Sequence, residues 1–493
     1  MTVRAPMPVW TNADGTGSFS AEENWSSGAV PGEGRTFKMS LSGDTTVTLG
    51  SAYAFGNVQI AGTGSVGFGG EGTLTLAKVL LTNGVSFAAC GRVTAAGIDL
   101  PTGSAATLTT LDGIEAGGVT GVGTLVLAPG AAEAVTISGL SSFTGDFGVT
   151  PDHSMTGTLT CEATSLKKFT LNGTTNVVFT LVNGTGGSFK ANEVVVAGGV
   201  LQQGSASVLS TTPKLTVMDG GTFDINKLKI EDATKPYIAG AGAGDWPWAI
   251  CSSAGAMVSG NYLANITLQA DATIGGPGQL KIGASSSSAN KIVLNGHKLT
   301  LAGTKSATFR NLNTDAGTIE LAPGYIVTLN VWNNLNSDKS KYSGTTLIIR
   351  DGARVVNQTD RVIYAATVQL DGGDIWAGGD DKKAFGPLST LSGHGMIHKL
   401  VMPEGAAYKP DGLDYLNVAE SLSGTVSVDL SGFDFATRTA AIPLLKVPTA
   451  LADTARSSLD LTVPTGWKLK EKTDGGNVSF TISKAKGVMI IAY

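Results

Sequence analysis

The chain has 493 residues, 67 of them glycine, with 42% hydrophobic but only 15% charged side chains; so much Val, Leu and Ile argues against charge-driven disorder, and the glycine excess points to many turns. Thirty-four Lys and Arg against 39 Asp and Glu leave a net charge of −5. There is no basic block to neutralise a run of phosphates, so nucleic acid is not an expected partner.

Residues 1–44 read as an N-terminal cap in which Trp10 and Trp25 are core residues. The opening Met1–Trp10 has no apolar stretch of the kind a signal peptide carries. From 45 to 410 the sequence repeats one unit, a short alternating run of Val, Leu, Ile and Thr followed by Gly, Asn, Asp or Pro. Thr73–Leu76, Thr124–Leu127, Glu193–Val196, Lys298–Leu301 and Thr346–Ile349 are examples. This period of two, rich in β-branched residues, is the half-buried strand pattern, and helical periodicity is nearly absent. Asn172-Gly173, Asn183-Gly184, Asn295-Gly296 and Asp371-Gly372-Gly373 supply turn residues that tolerate positive φ.

Taken singly these turns suggest hairpins; recurrence of whole phrases argues for a solenoid instead. Gly123–Gly130 and Gly317–Gly324 are imperfect copies, and Gly72–Ala77 is a third, partial one. Coils of roughly 20 to 25 residues would number on the order of 15 and, at about 4.8 Å each, stack to a rod about 70 Å long. Residues 236–260 are too rich in Gly and aromatics for a coil strand and read as a projecting loop. Residues 411–493 read as a C-terminal β-rich capping module with a helical turn near Ala450 to Leu459, because an open solenoid end exposes core and strand edge. The expected fold is all-β: a right-handed parallel β-helix with an N-terminal cap and a small C-terminal β-rich cap. No run approaches the 18 or so apolar residues of a membrane helix, and the last 80 residues do not supply the strands of a membrane barrel.

The residues that could carry chemistry are few. Asn313-Thr314-Asp315, Gly379-Asp380-Asp381 and Gly393-His394-Gly395 superficially resemble polygalacturonase signatures, but inverting hydrolysis needs carboxylates about 6.5–9.5 Å apart. Asp315 and Asp380, roughly three coils apart, would be about 14 Å apart along the axis. His394 and His398 lie in strand sequence without a third ligand, His153 and His297 are solitary, and Asp351, Asp371 and Asp411 each precede a glycine as turn aspartates do, so neither a metal nor a cofactor is expected. Cys90, Cys161 and Cys251 read as small buried hydrophobes, with one non-local disulfide among them left open. The best candidates for recognition are Tyr237, Trp246 and Trp248, whose flat rings on a loop can stack on sugar faces; the plainer reading is that both tryptophans anchor the loop.

Trp10, Asn24-Trp25, Pro31-Gly32 and Phe37 occur in the order found at the start of bacterial surface proteins with autotransporter-associated β-strand repeats. Gly198–Leu209, followed by Lys214–Val217 and Gly220–Ile225, is similar to that repeat, and Leu391–Gly395 through Lys409–Gly412 to Leu416–Val418 is similar to its closing phrase. The chain resembles free-standing members, since no translocating barrel is recognisable. The resemblance implies an extracellular or surface-displayed β-helix, structural or adhesive, meeting glycans or other cell-surface and matrix proteins, or copies of itself. A polysaccharide hydrolase or lyase on the same scaffold is the alternative.

Overall fold

In each of the two units of the chain, alternating strands stack in parallel register as the coils of a β-solenoid. The computed structural model describes residues 6–485 apart from 14, 83, 90–92, 112–117, 131–132, 161–165, 186–188, 206–207, 210–211, 229–233, 256–262, 264, 284–289, 311, 331–341, 359–361 and 378–383. One unit comprises residues 1–235 with 242–249, and the other residues 236–241 with 250–493.

In the first unit Thr124–Leu127 pairs with Asp146–Val149, which pairs in turn with Lys168–Asn172, at an offset of 22 residues between partners. Alternation then sends every second side chain inward, so Leu125, Phe147, Phe169, Val194 and Leu215 form one buried column. Each contributes about 1.5–3 kcal/mol of apolar burial, and the Phe147 and Phe169 ring centroids lie 5.7 Å apart with the planes tilted by 46°. The repeated phrases adopt the same geometry: Leu125 and Leu127 point inward in one copy, Ile319 and Leu321 in the other, Leu74 and Leu76 in the third. Corners fall at glycine for a steric reason. Gly121 has φ +99°, and a Cβ there would lie 2.1 Å from the Leu100 carbonyl oxygen of the neighbouring coil.

The first unit opens on an aromatic cap. Trp10 and Trp25 pair by an antiparallel bridge, Trp25 Nε1 donates to the Phe19 carbonyl at 2.8 Å, and the Phe19 ring meets those of Trp25 and Phe37 nearly edge-on. Both indoles are buried, as the sequence suggested.

In the second unit Leu299, Ile319, Leu347, Val368, Leu391 and Tyr408 follow one another in register. Tyr408 is fully buried, its hydroxyl bonded to the carbonyls of Gly393 and Leu444, and burial pushes its pKa up. The change in sequence near 411 does not end the parallel stack: Leu416–Gly424 still pairs in parallel with Phe385–Met402. Among the described residues of the second unit, strand direction reverses where Ile442–Pro448 meets Asn477–Lys484, which forms a hairpin with Trp467–Asp474. The helical turn lies at Ala452–Ser458. Cys251 is buried; Cys90 and Cys161 fall outside the described residues.

Candidate functional site

The aromatic segment is not one projecting loop. Tyr237 sits half-buried in the strand Lys235–Gly240, in register with Thr267, within the second unit. Ile250–Cys251 is again strand, and residues 256–260 lie outside the described residues. Between the strands, residues 242–249 form a tight turn that belongs to the first unit and carries Trp246 and Trp248. Ala243 and Trp246 exchange backbone hydrogen bonds of 3.0 and 2.9 Å. Gly242 permits this closure, because with φ +91° a Cβ there would meet the Trp246 carbonyl oxygen at 2.1 Å.

Two side chains from earlier coils fasten the turn. The buried Thr222 hydroxyl accepts from the Ala243 N–H at 3.0 Å and donates to the Trp248 carbonyl at 2.8 Å. Asn176, itself at φ +69°, accepts from the Asp245 N–H and donates to the Asp245 carboxylate at 2.9 Å. The backbone of the turn is held by its peptide groups, Thr222 and the Asn176–Asp245 pair, and both indoles are half-buried. Holding the backbone in place lowers the ordering cost of binding a flat ligand face.

The ionisable groups singled out from the sequence are distributed differently. Asp315 accepts from the Leu294 N–H, a turn role, while Asp380 and Asp381 lie outside the described residues. His394 Nδ1 is 2.6 Å from Asp411, His153 is 2.6 Å from Asp152, and His297 is 3.8 Å from Asp271. Asp371 accepts from Arg350 at 3.0 Å. Among the described residues no cluster of three or more His, Cys, Asp or Glu has a geometry that could hold a metal ion.

His398 stands in a group that sequence reasoning missed. Its Nδ1 is 3.1 Å from Glu420 and its Nε2 3.5 Å from Asp374, whose other oxygen accepts from Arg354 at 2.9 Å. The half-exposed Trp376 packs nearly perpendicular to the His398 ring, centroids 6.1 Å apart. The signal was present: Trp376, His398 and Glu420 recur at the 22-residue coil spacing on one outward column.

Outward columns elsewhere pair coil to coil. Thr94 donates to Thr75 at 3.3 Å and Thr120 to Asp99 at 3.0 Å. Glu193 meets Lys214 at 2.7 Å and Thr216 at 3.1 Å, hydrogen bonds that hold its carboxyl below the usual range against the opposing effect of burial. In the second unit Lys298, Glu320, Arg350 and Asp371 form a chain of contacts of 3.1, 2.7 and 3.0 Å. Burial raises the Glu320 pKa, but Arg350 and Lys298 outweigh it and the net shift is downward.

Compared with known proteins, the chain matches no protein-family model, no curated protein and no solved structure. Its class therefore rests on its own geometry: a parallel β-solenoid with polar ladders on its outer faces and a fixed turn presenting two tryptophans.

Proposed function

We propose that this chain is a non-catalytic extracellular β-solenoid of the bacterial surface or matrix, structural or adhesive, with weak glycan contacts through Trp246 and Trp248. The observation that carries the reading is the coil-to-coil pairing of outward side chains, Thr75 with Thr94, Asp99 with Thr120, Glu193 with Lys214, and Glu320 with Arg350. Polar side chains satisfied by their neighbours stiffen a surface, and similar groups repeated at each coil suit many individually weak contacts acting together. The resemblance to surface proteins with autotransporter-associated repeats supports the location. The test is retention on immobilised polysaccharides. Trp246→Ala with Trp248→Ala should weaken retention at least tenfold and leave the melting transition nearly unchanged, since the fastening runs through Thr222 and Asn176; unchanged retention would remove the turn from the reading.

Asp374, His398 and Glu420 beside Trp376 favour a second reading, polysaccharide hydrolysis or lysis, in which a carboxylate or the imidazole moves a proton. Release of reducing ends from a polysaccharide panel, abolished by Asp374→Asn, would establish it in place of the first.

A further inference from the structure

In the second unit a corner cleft of about 370 Å3 lies among Gln369, Asp371, Ser392, Lys409 and Asp411. Its charged groups are already engaged: Asp371 with Arg350, Asp411 with His394, Lys409 with Asp429. A ligand there would have to break ion pairs.

The first unit holds a groove of similar size, about 350 Å3, whose one charged side chain, Glu33, makes no ion pair among the described residues. The turn at Pro31 and Glu33 forms one wall. The strand containing Ala52 and Tyr53, with Thr73 and Thr75 from the next coil, forms the rest. Ala52 lies beside Thr73 and Ala54 beside Thr75 in register, so methyl groups in one coil step down to hydroxyls in the next. Wall and floor are tied together, because Gly34 N–H donates to the Ala54 carbonyl and Gly56 N–H to that of Arg35, both at 3.0 Å.

Among the described residues the exposed Glu33 carboxylate has neither an ion pair nor a hydrogen bond, and the Tyr53 hydroxyl has no hydrogen-bond partner. The Tyr53 ring itself is held, 4.8 Å from Phe19 and stacked at 11° on Phe55. Thr75 accepts from Thr94 and keeps its own proton to donate.

We infer that this groove is a binding subsite for one neutral pyranose unit of a glycan. A carboxylate accepts hydrogen bonds from two adjacent sugar hydroxyls, charge-assisted and therefore the strongest available here. The Thr73, Thr75 and Tyr53 hydroxyls complement the remaining sugar oxygens, and Pro31 and the alanines take the C–H face. No lining residue is basic, so Glu33 repels an anionic sugar. The inference rests on the reading that the chain meets glycans and adds a site sharing no residue with the tryptophan turn.

The experiment titrates the full chain with the methyl pyranosides of glucose, galactose and mannose, followed by ligand-observed NMR, with methyl glucuronide as the anionic comparison. At least one neutral pyranoside should bind saturably, with a Kd of about 1 mM. Glu33→Gln should weaken it at least tenfold and Tyr53→Phe about threefold, both with an unchanged melting transition. The inference is overturned if none of the three binds, if Glu33→Gln binds as the parent does, or if the glucuronide binds equally well. Pyranoside binding by a chain that polysaccharide surfaces do not retain would support the groove while sinking the adhesive reading.

Discussion

The segment that opens the first unit and the segment that closes the second meet the same problem, an exposed core and an unpaired strand edge, with opposite chemistry. The opening segment buries Trp10 and Trp25 to 1% and 3% exposure and packs Phe19, Phe37 and Phe55 against one another at ring distances of 5.1–5.8 Å. The closing segment leaves seven of the eight residues of Trp467–Asp474 exposed, Lys468, Lys470 and Lys472 among them. Interlocked rings cover a core; alternating charge makes an edge unwelcoming to another strand without covering anything. Stability should therefore concentrate at the first and specificity at the second.

The largest expected effect follows from that division. Trp25→Ala removes a buried indole together with its hydrogen bond to Phe19 and should cost about 3–5 kcal/mol, read as a lower denaturant midpoint for the transition of the first unit. Trp467 is also buried, but its ring contact is to the Phe435 ring at 5.1 Å, and Trp467→Ala should cost distinctly less. Equal losses would erase the contrast between the two segments.

What could be read from the sequence was whatever one strand decides by itself. Alternation in Thr124–Leu127 and Gly317–Leu321 fixed which leucines face inward, and the burial of Trp10 and Trp25 and the helical turn at Ala452–Ser458 were equally local. Contacts between coils were harder, because coil length varies: Thr318 lies over Thr346, 28 residues on, whereas Thr390 lies over Ala407, only 17 on. A drifting period hides which carboxylate meets which cation: His398 stands out in the sequence together with His394, but its partners Asp374 and Glu420 do not, even though the local spacing there is regular. The fastening of the tryptophan turn was beyond reach for the same reason, since Asn176 and Asp245 are 69 residues apart.

An intermediate effect separates the ionic columns of the two units. Glu193 and Glu320 both have pKa values held below the ordinary carboxylate value near 4.5. Carboxylates shifted downward add stability that is complete above the unfolded-state pKa and disappears as pH falls through the folded-state value. Arg350→Met, which breaks the contacts to both Glu320 and Asp371, should cost about 1 kcal/mol near neutrality because these groups are partly exposed. The difference between parent and variant should shrink once pH falls through the lowered folded-state pKa of Glu320 and its charge is lost. A penalty that persisted there would mean that Arg350 acts by packing its aliphatic stem and not by charge.

The smallest expected change in stability comes from the edge strand, and it sharpens the contrast most. Among the described residues Trp467–Asp474 pairs on one side only, with Asn477–Lys484, so its other side presents free backbone groups. Glu471 is tied to Arg456 at 2.9 Å and Lys472 to Asp474 at 3.2 Å, whereas Lys468 and Lys470 point into solvent. Replacing Lys468, Lys470 and Lys472 with Thr keeps the β-propensity and should shift stability by no more than about 0.5 kcal/mol. Removing the charge also removes the repulsion that a second copy meets when it aligns its own lysines along this edge. Sedimentation should then show concentration-dependent association in the variant and not in the parent, and the association should weaken when a single lysine is restored. If the variant stays monomeric, the lysines are ordinary surface charges and the closing segment owes its protection to something other than electrostatics.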